Sequence, residues 1–378
     1  MKRTRTKQLK IFVIAGEVSG DVLGAKIIRE ATAINPDIKF VGVGGQNMTD
    51  AGLKSLFPMS DLAVMGITEV LEHARTLSLR IRQTINAIIQ EKPDIVLTID
   101  SPGFAKSVVQ GVKKQRALKE TKFYHVVAPQ VWAWGAKRAG KYAKIFDKLY
   151  VFFDFEKPYF EKYGLKTVAV GHPISDGLNK YKKDKSGKQI ITFVPGSRMS
   201  EVKNLLPVFH KTIDLLVAHG YDGYKFVIPT VETTDKYIRE NIKNWKNKPD
   251  IIPATKRYDL YADTFIAVVA SGTVSAELAI MHIPTIVVYK MNMLTTLLAH
   301  ILVHVKWVSL VNILSNKTVY PELLGKKANP QLIMTYIQKL TDLSTRNNMI
   351  AQLKSADNQW SRSGENAAKL VAEDMLTK

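Results

Sequence analysis

The sequence predicts an α/β protein built from two doubly wound parallel-sheet domains facing each other across a cleft. Three observations carry that prediction. Apolar runs of strand length alternate with helical patterns along most of the 378 residues, as they do where helices cover both faces of a parallel sheet. The alternation occurs twice, interrupted by Gly171-His172-Pro173 and the lysine-rich stretch Asn179–Lys188, the composition of a domain boundary. The length also exceeds what one hydrophobic core comfortably serves.

The first series opens with a strand at Lys10–Ala15, followed by GEVSGD (Gly16–Asp21) and a helix to about Ile34. Further strands are expected near Phe40–Val43, Asp94–Ile99, Phe123–Val127, Leu149–Phe152 and Val168–Val170. The second series starts at Ile190 and continues near Lys225–Ile228, Phe265–Val269 and Thr285–Val288. Beyond Asn329 the pattern is helical. The expected division is 1–173, 174–345, and a helical segment 346–378 packing back on the first domain. In such sheets ligands bind beyond the carboxyl ends of the strands, and the polar motifs below all fall at such ends.

Composition narrows the class. Apolar residues make up 46% and charged residues 23%, a globular profile rather than a disordered one. The absence of cysteine excludes disulfides and thiolate metal sites. The basic amino terminus precedes only a short apolar run, Ile11–Ala15, too short for a signal peptide. No run of about 18 apolar residues offers a bilayer span, so a cytoplasmic location is expected. Lys and Arg number 54 against 34 Asp and Glu, a net charge of +20. That excess suits nucleic acid, an anionic membrane surface or phosphorylated substrates, and composition does not rank the three.

The most informative stretch is QIITFVPGSRMSE, Gln189–Glu201. A buried strand ends at Pro195-Gly196 and a helix opens at Ser197-Arg198, which aims backbone N–H groups and the positive end of a helix dipole at one place. Gly196 permits close approach of a ligand, Ser197 is a cap or donor, and Arg198 offers a planar fork to phosphate. A diphosphate fits; so does a capped helix with a solvated arginine. A second such turn, Ser271-Gly272-Thr273, follows the strand FIAVVA and opens a helix carrying Glu277. A carboxylate there suits ribose hydroxyls.

In the first series, Asp100 follows DIVLTI and precedes Ser101-Pro102-Gly103. It can serve as a base toward a substrate hydroxyl or simply as a turn or cap aspartate. Glu17 and Ser19 hold the matching place after the first strand, where Ser19 with Asp21 also suits a cap. Trp132 and Trp134 lie just past a strand, beside a cationic face of Lys137, Lys141 and Lys144. This combination fits a phosphosugar, a membrane interface or single-stranded nucleic acid, or a buried pair of rings. Two apolar stretches, Leu56–Leu71 and the stripe Leu294, Leu297, Leu298, Ile301, Leu302 and Val305 before Lys306-Trp307, read as core or as surfaces for acyl chains and membrane. Other matches fail. Gly42-Val43-Gly44-Gly45 has Asn47 where a dinucleotide fingerprint needs glycine, and GEVSGD lacks the lysine of a P-loop. There is no G-x-S-x-G elbow. His300 and His304 stand at metal-ligand spacing without an intervening glutamate.

Taken in order, AGEVSGD (Ala15–Asp21), FVGVGG (Phe40–Gly45), AVMGITEVL (Ala63–Leu71), IDSPGF (Ile99–Phe104), VWAW (Val131–Trp134), GHP (Gly171–Pro173), PGSR with Glu201, SGT with Glu277, and VSLVN (Val308–Asn312) resemble the lipid-A-disaccharide synthases. Those are glycosyltransferases of the two-domain GT-B type. The resemblance implies an inverting transfer without metal or other cofactor. UDP-2,3-diacylglucosamine would donate its sugar to the 6-hydroxyl of 2,3-diacylglucosamine 1-phosphate on an anionic inner-membrane surface, with nucleic acid unnecessary. It implies Asp100 as the base and Arg198 as the group that stabilises departing UDP. Gly196, Ser197, Glu201, Ser271, Gly272, Thr273, Glu277 and Asn312 would hold the nucleotide with Arg198. Glu17, Ser19, Met65, Gly66 and Trp132 would take the acylated acceptor. Gly103, Ala105 and Val311 depart from the family pattern at acceptor-side positions and beside Asn312. Rival readings are another GT-B enzyme on a UDP-sugar, such as a UDP-N-acetylglucosamine 2-epimerase or the transferase that makes lipid II, and a non-catalytic basic module for membrane or RNA.

Overall fold

The computed structural model describes residues 8–62, 67–116, 118–133, 135–182, 189–290, 306–360 and 366–377, with the backbone alone for 67–74 and 179. The chain divides into two compact units, Met1–Pro173 with Ser361–Lys378, and Ile174–Trp360.

The first unit holds β1 (Lys10–Ala15), β2 (Lys39–Val43), β3 (Lys54–Ser55), β4 (Ile95–Ile99), β5 (Lys122–Val126), β6 (Lys148–Val151) and β7 (Lys166–Ala169). They form one sheet in the order β3-β2-β1-β4-β5-β6-β7, with neighbours parallel. The central strands KIFVIA and IVLTI are apolar on both faces because helices cover both. Phe12 and Ile14 point into a core shared with Val108 and Val109 of the helix Pro102–Lys114. Ile11, Val13 and Ala15 point the other way, against Ile27 and Ile28 of the helix Val18–Ile34, the two-residue period of a strand. Strand order reverses between β1 and β4, so their carboxyl ends flank a switch point.

Glycines and an aspartate fix the edge of this sheet. Gly42 has φ +148°, and a Cβ there would collide with the Val13 backbone. The buried Asp21 carboxylate accepts from the backbone N–H groups of Gly45, Asn47 and Met48 and from the Asn47 amide. GEVSGD and GVGG therefore interlock: Asp21 caps the helix Gln46–Asp50 rather than its own helix, whose start at Glu17 has no side-chain cap. This corrects the pairing of Ser19 with Asp21 as a local cap.

The second unit holds β8 (Ile190–Val194), β9 (Lys225–Thr230), β10 (Asp250–Pro253), β11 (Ile266–Ala270), β12 (Thr285–Tyr289) and β13 (Glu322–Leu324). Their order is β10-β9-β8-β11-β12-β13, again parallel. Here the switch point lies between β8 and β11, whose ends carry the PGSR and SGT turns.

The carboxyl-terminal boundary differs from the expected one at 346. Helix Leu343–Ser355 stays with the second unit, where Arg346 packs over the Phe265 ring at 4.2 Å and Leu353 is fully buried. Asp357 accepts from Lys182 at 3.0 Å and meets His282 Nε2 at 2.8 Å, and Trp360 is buried. Only the chain from 361 returns to the first unit. There helix Ala367–Leu376 packs its Val371 and Ala372 into the core beside Ile27 and Ile28. Asp374 accepts from Lys148 at 2.6 Å and from the Tyr150 hydroxyl at 2.9 Å.

Candidate active site

In the second unit the turns after β8 and β11 border a cavity of about 430 Å³, lined also by Pro229, Val231, Ala254, Arg257, Tyr261 and Glu277. Helices Met199–Ala218 and Thr273–Ile280 both begin at it. Their first-turn N–H groups and positive dipole ends meet at one space, a ready site for an anion. Gly196, Ser197, Arg198, Glu201, Ser271, Gly272, Thr273 and Glu277 all line it, so the structure brings together eight of the nine residues expected to hold a nucleotide.

Two of these residues have roles the sequence did not show. Gly196 has φ +101°, and a Cβ there would overlap the Glu201 carboxylate; glycine is required by that close approach as well as by the backbone. Glu201 in turn accepts from the Arg198 N–H at 3.4 Å and from its guanidinium at 3.1 Å, a capping arrangement for the helix start. Arg198 is 78% exposed, so Glu201 is its anchor and not its burial.

Asn312 is the exception. It is fully buried and spends every hydrogen-bonding position inside the protein. Its amide donates to Tyr320 O and to Glu322 Oε1, and its oxygen accepts from the N–H groups of Val319 and Tyr320. Glu322 also accepts from the Val308 and Ser309 N–H groups. VSLVN is thus a staple that fixes the start of β13, and Asn312 is absent from the cavity lining.

Sequence reading missed Arg257 and Tyr258. They open the helix Arg257–Asp263 that follows β10, a short edge strand whose half-exposed pattern gave no periodic signal. The Tyr258 hydroxyl donates to Glu277 Oε1 at 2.8 Å, and Arg257 Nη2 reaches the Tyr258 oxygen at 2.7 Å and Glu277 Oε1 at 3.4 Å. Burial works against the charge on Arg257, but Glu277 and Tyr258 hold its pKa above the usual guanidinium value. Burial, reinforced by Glu277, raises the Tyr258 phenol.

In the first unit, Asp100 and Ser101 both sit in the left-handed region, φ +54° and +47°. Two consecutive non-glycine residues there store strain of about 1–3 kcal/mol each, at the carboxyl end of β4. The Asp100 N–H donates to Val126 O at 3.0 Å and its carboxylate accepts from the Ser101 N–H at 2.8 Å. A Cβ at Gly16 would overlap the Ser101 side chain, so the turns after β1 and β4 are in contact. Glu17 and Ser19 are exposed, and the charge of Asp100, with some burial, raises the pKa of Glu17. Two carboxylates and a strained turn therefore share the first switch point, where a carboxylate is able to accept a proton from a hydroxyl.

Trp132 joins an aromatic cluster past β5, its ring edge on Phe155 at 5.5 Å, with Phe153 stacked on Phe155. Burial in this cluster pushes Glu156 up to about 7 and His172 down to about 4. Met65, Gly66, Trp134, His300, His304 and the apolar stripe 294–305 lie outside the described residues.

Two parallel-sheet α/β units, each with glycine or polar turns at its switch point, have the architecture of the GT-B class, and solved structures agree. The UDP-N-acetylglucosamine 2-epimerase from Neisseria meningitidis, bound to UDP-GlcNAc, is similar with a TM-score of 0.63 at 15% identity, over 98% of this chain and 100% of that one. Within that class the chain belongs to the lipid-A-disaccharide synthetase family, whose sequence profile matches residues 11–374. It is 38% identical to the lipid-A-disaccharide synthase of Rhodospirillum centenum over 88% of this chain and 85% of that one. Against the synthase of Paramagnetospirillum magneticum the identity is 35%, over 97% and 96%.

Proposed function

We propose that this protein is the hexosyltransferase that joins two acylated glucosamines into the lipid A disaccharide. The observation that carries the reading is the second-unit cavity, where two helix ends, Arg198 and Glu277 converge in a chain of this family. The donor in this reading is UDP-2,3-diacylglucosamine and the acceptor 2,3-diacylglucosamine 1-phosphate. The acceptor 6-oxygen attacks the donor anomeric carbon from the face opposite UDP while its proton passes to Asp100. The C1–O bond to UDP breaks, the electron pair leaves with the diphosphate, and a β-1,6 linkage forms. Positive charge develops on the sugar as in glycoside hydrolysis, and negative charge develops on UDP. Arg198 and the helix ends at Ser197 and Thr273 are preorganised for the latter.

A net charge of +20 suits two phosphate-bearing lipids at the anionic cytoplasmic leaflet. Among the described residues no helix is long and apolar enough to cross a membrane, and the proposed placement is peripheral. The proposed step uses no metal, because fixed cations and dipoles meet the leaving diphosphate. Turnover in excess EDTA should stay within about 2-fold of the untreated rate. A loss of about 100-fold that Mg²⁺ restores would assign the leaving-group role to a metal instead.

A further inference from the structure

Among the described residues the Glu277 carboxylate is hydrogen-bonded through one oxygen. Oε1 receives the Tyr258 hydroxyl at 2.8 Å and Arg257 Nη2 at 3.4 Å; among the described residues Oε2 has no hydrogen-bond partner. The anchoring pair is itself fixed. Arg257 lies over the Tyr258 ring at 4.2 Å and donates to Ala254 O at 3.3 Å. Tyr181 packs on Tyr258 at 5.4 Å between centroids, and Tyr261 meets it edge-on at 6.3 Å. Arg257 to Tyr258 to Glu277 is a chain of donors ending on a carboxylate, in which each bond strengthens the next.

We propose that Arg257 and Tyr258 are positioning residues for nucleotide selection: they pin Oε1 of Glu277 so that Oε2 accepts from the vicinal hydroxyls of a ribose. The inference rests on the reading of this cavity as the UDP site. A glutamate anchored at one oxygen loses little rotamer freedom when a ligand arrives, so its hydrogen bonds to the ligand are gained at small entropic cost. A ribonucleotide is selected over one lacking those hydroxyls, because the latter leaves Oε2 desolvated and unmatched.

The test is binding of UDP and of 2′,3′-dideoxy-UDP by calorimetry to wild type, Tyr258→Phe, Arg257→Lys and Arg257→Met, with melting curves for each. Wild type should prefer UDP by at least about 10-fold, the scale of a hydrogen bond to a charged group. Tyr258→Phe should lose most of that preference while its affinity for dideoxy-UDP stays within about 2-fold; Arg257→Met should lose most of the preference as well, and Arg257→Lys should keep most of it. In turnover, KM for the UDP-sugar should rise with kcat nearly unchanged, as for lost uniform binding. Equal weakening of both nucleotides, or full preference in Tyr258→Phe, overturns the positioning role while leaving the UDP site standing. Wild type that binds no UDP overturns the reading of the cavity itself.

Discussion

Asp100→Asn should lower kcat by at least about 100-fold, the usual contribution of a positioned general base, while UDP affinity stays within about 2-fold. Asparagine is the informative replacement. Asp100 and Ser101 hold left-handed backbone at φ +54° and +47°, and asparagine tolerates that region better than alanine does. Its amide oxygen can also accept from the Ser101 N–H as the carboxylate does at 2.8 Å. The turn therefore survives and the proton acceptor is lost. Asp100 does not line the cavity of the second unit, so nucleotide binding has no reason to change. Steady-state kinetics with calorimetric UDP binding separates the two quantities. A kcat within about 3-fold of wild type would remove Asp100 from the base role.

Arg198→Ala should cost about 100- to 1,000-fold in kcat/KM, the range for removing one preorganised donor from a developing anion. The guanidinium is 78% exposed and its carboxylate partner is Glu201, three residues on, at 3.1 Å. With the guanidinium so exposed, the pair stabilises the fold little, and the melting temperature should barely move. Arg198→Lys should recover part of the loss through charge alone, without the fork that matches two phosphate oxygens. Pre-steady-state UDP release checks this directly. An Arg198→Ala enzyme with wild-type kcat/KM would hand the leaving group to the helix ends at Ser197 and Thr273.

Much of this site was legible because its signals are local. A strand, a glycine turn and a helix start lie within thirteen residues at Gln189–Glu201, and Ser271–Thr273 repeats the pattern. Asp100 showed itself by following a buried strand. What stayed hidden depends on distant partners. Asp21 caps a helix that starts 25 residues on, which its own sequence neighbourhood cannot reveal. Asn312 sits in a motif that pointed to a ligand, but its four hydrogen bonds close on residues 319–322. Arg257 and Tyr258 are brought to Glu277 by the pairing of β10, β9, β8 and β11. The short edge strands β3, β10 and β13 bury too little for a periodic pattern, and the return to the first unit at 361 is set by Asp357 and Trp360 rather than by any break at 346.

The most direct measurement is product analysis after incubating wild-type protein with UDP-2,3-diacylglucosamine and 2,3-diacylglucosamine 1-phosphate. The expected result is stoichiometric UDP and a β-1,6-linked tetraacyl disaccharide 1-phosphate, identified by mass and by its anomeric coupling. Folded protein that binds UDP but makes no disaccharide, or that alters the UDP-sugar without using the acceptor, would contradict the assignment.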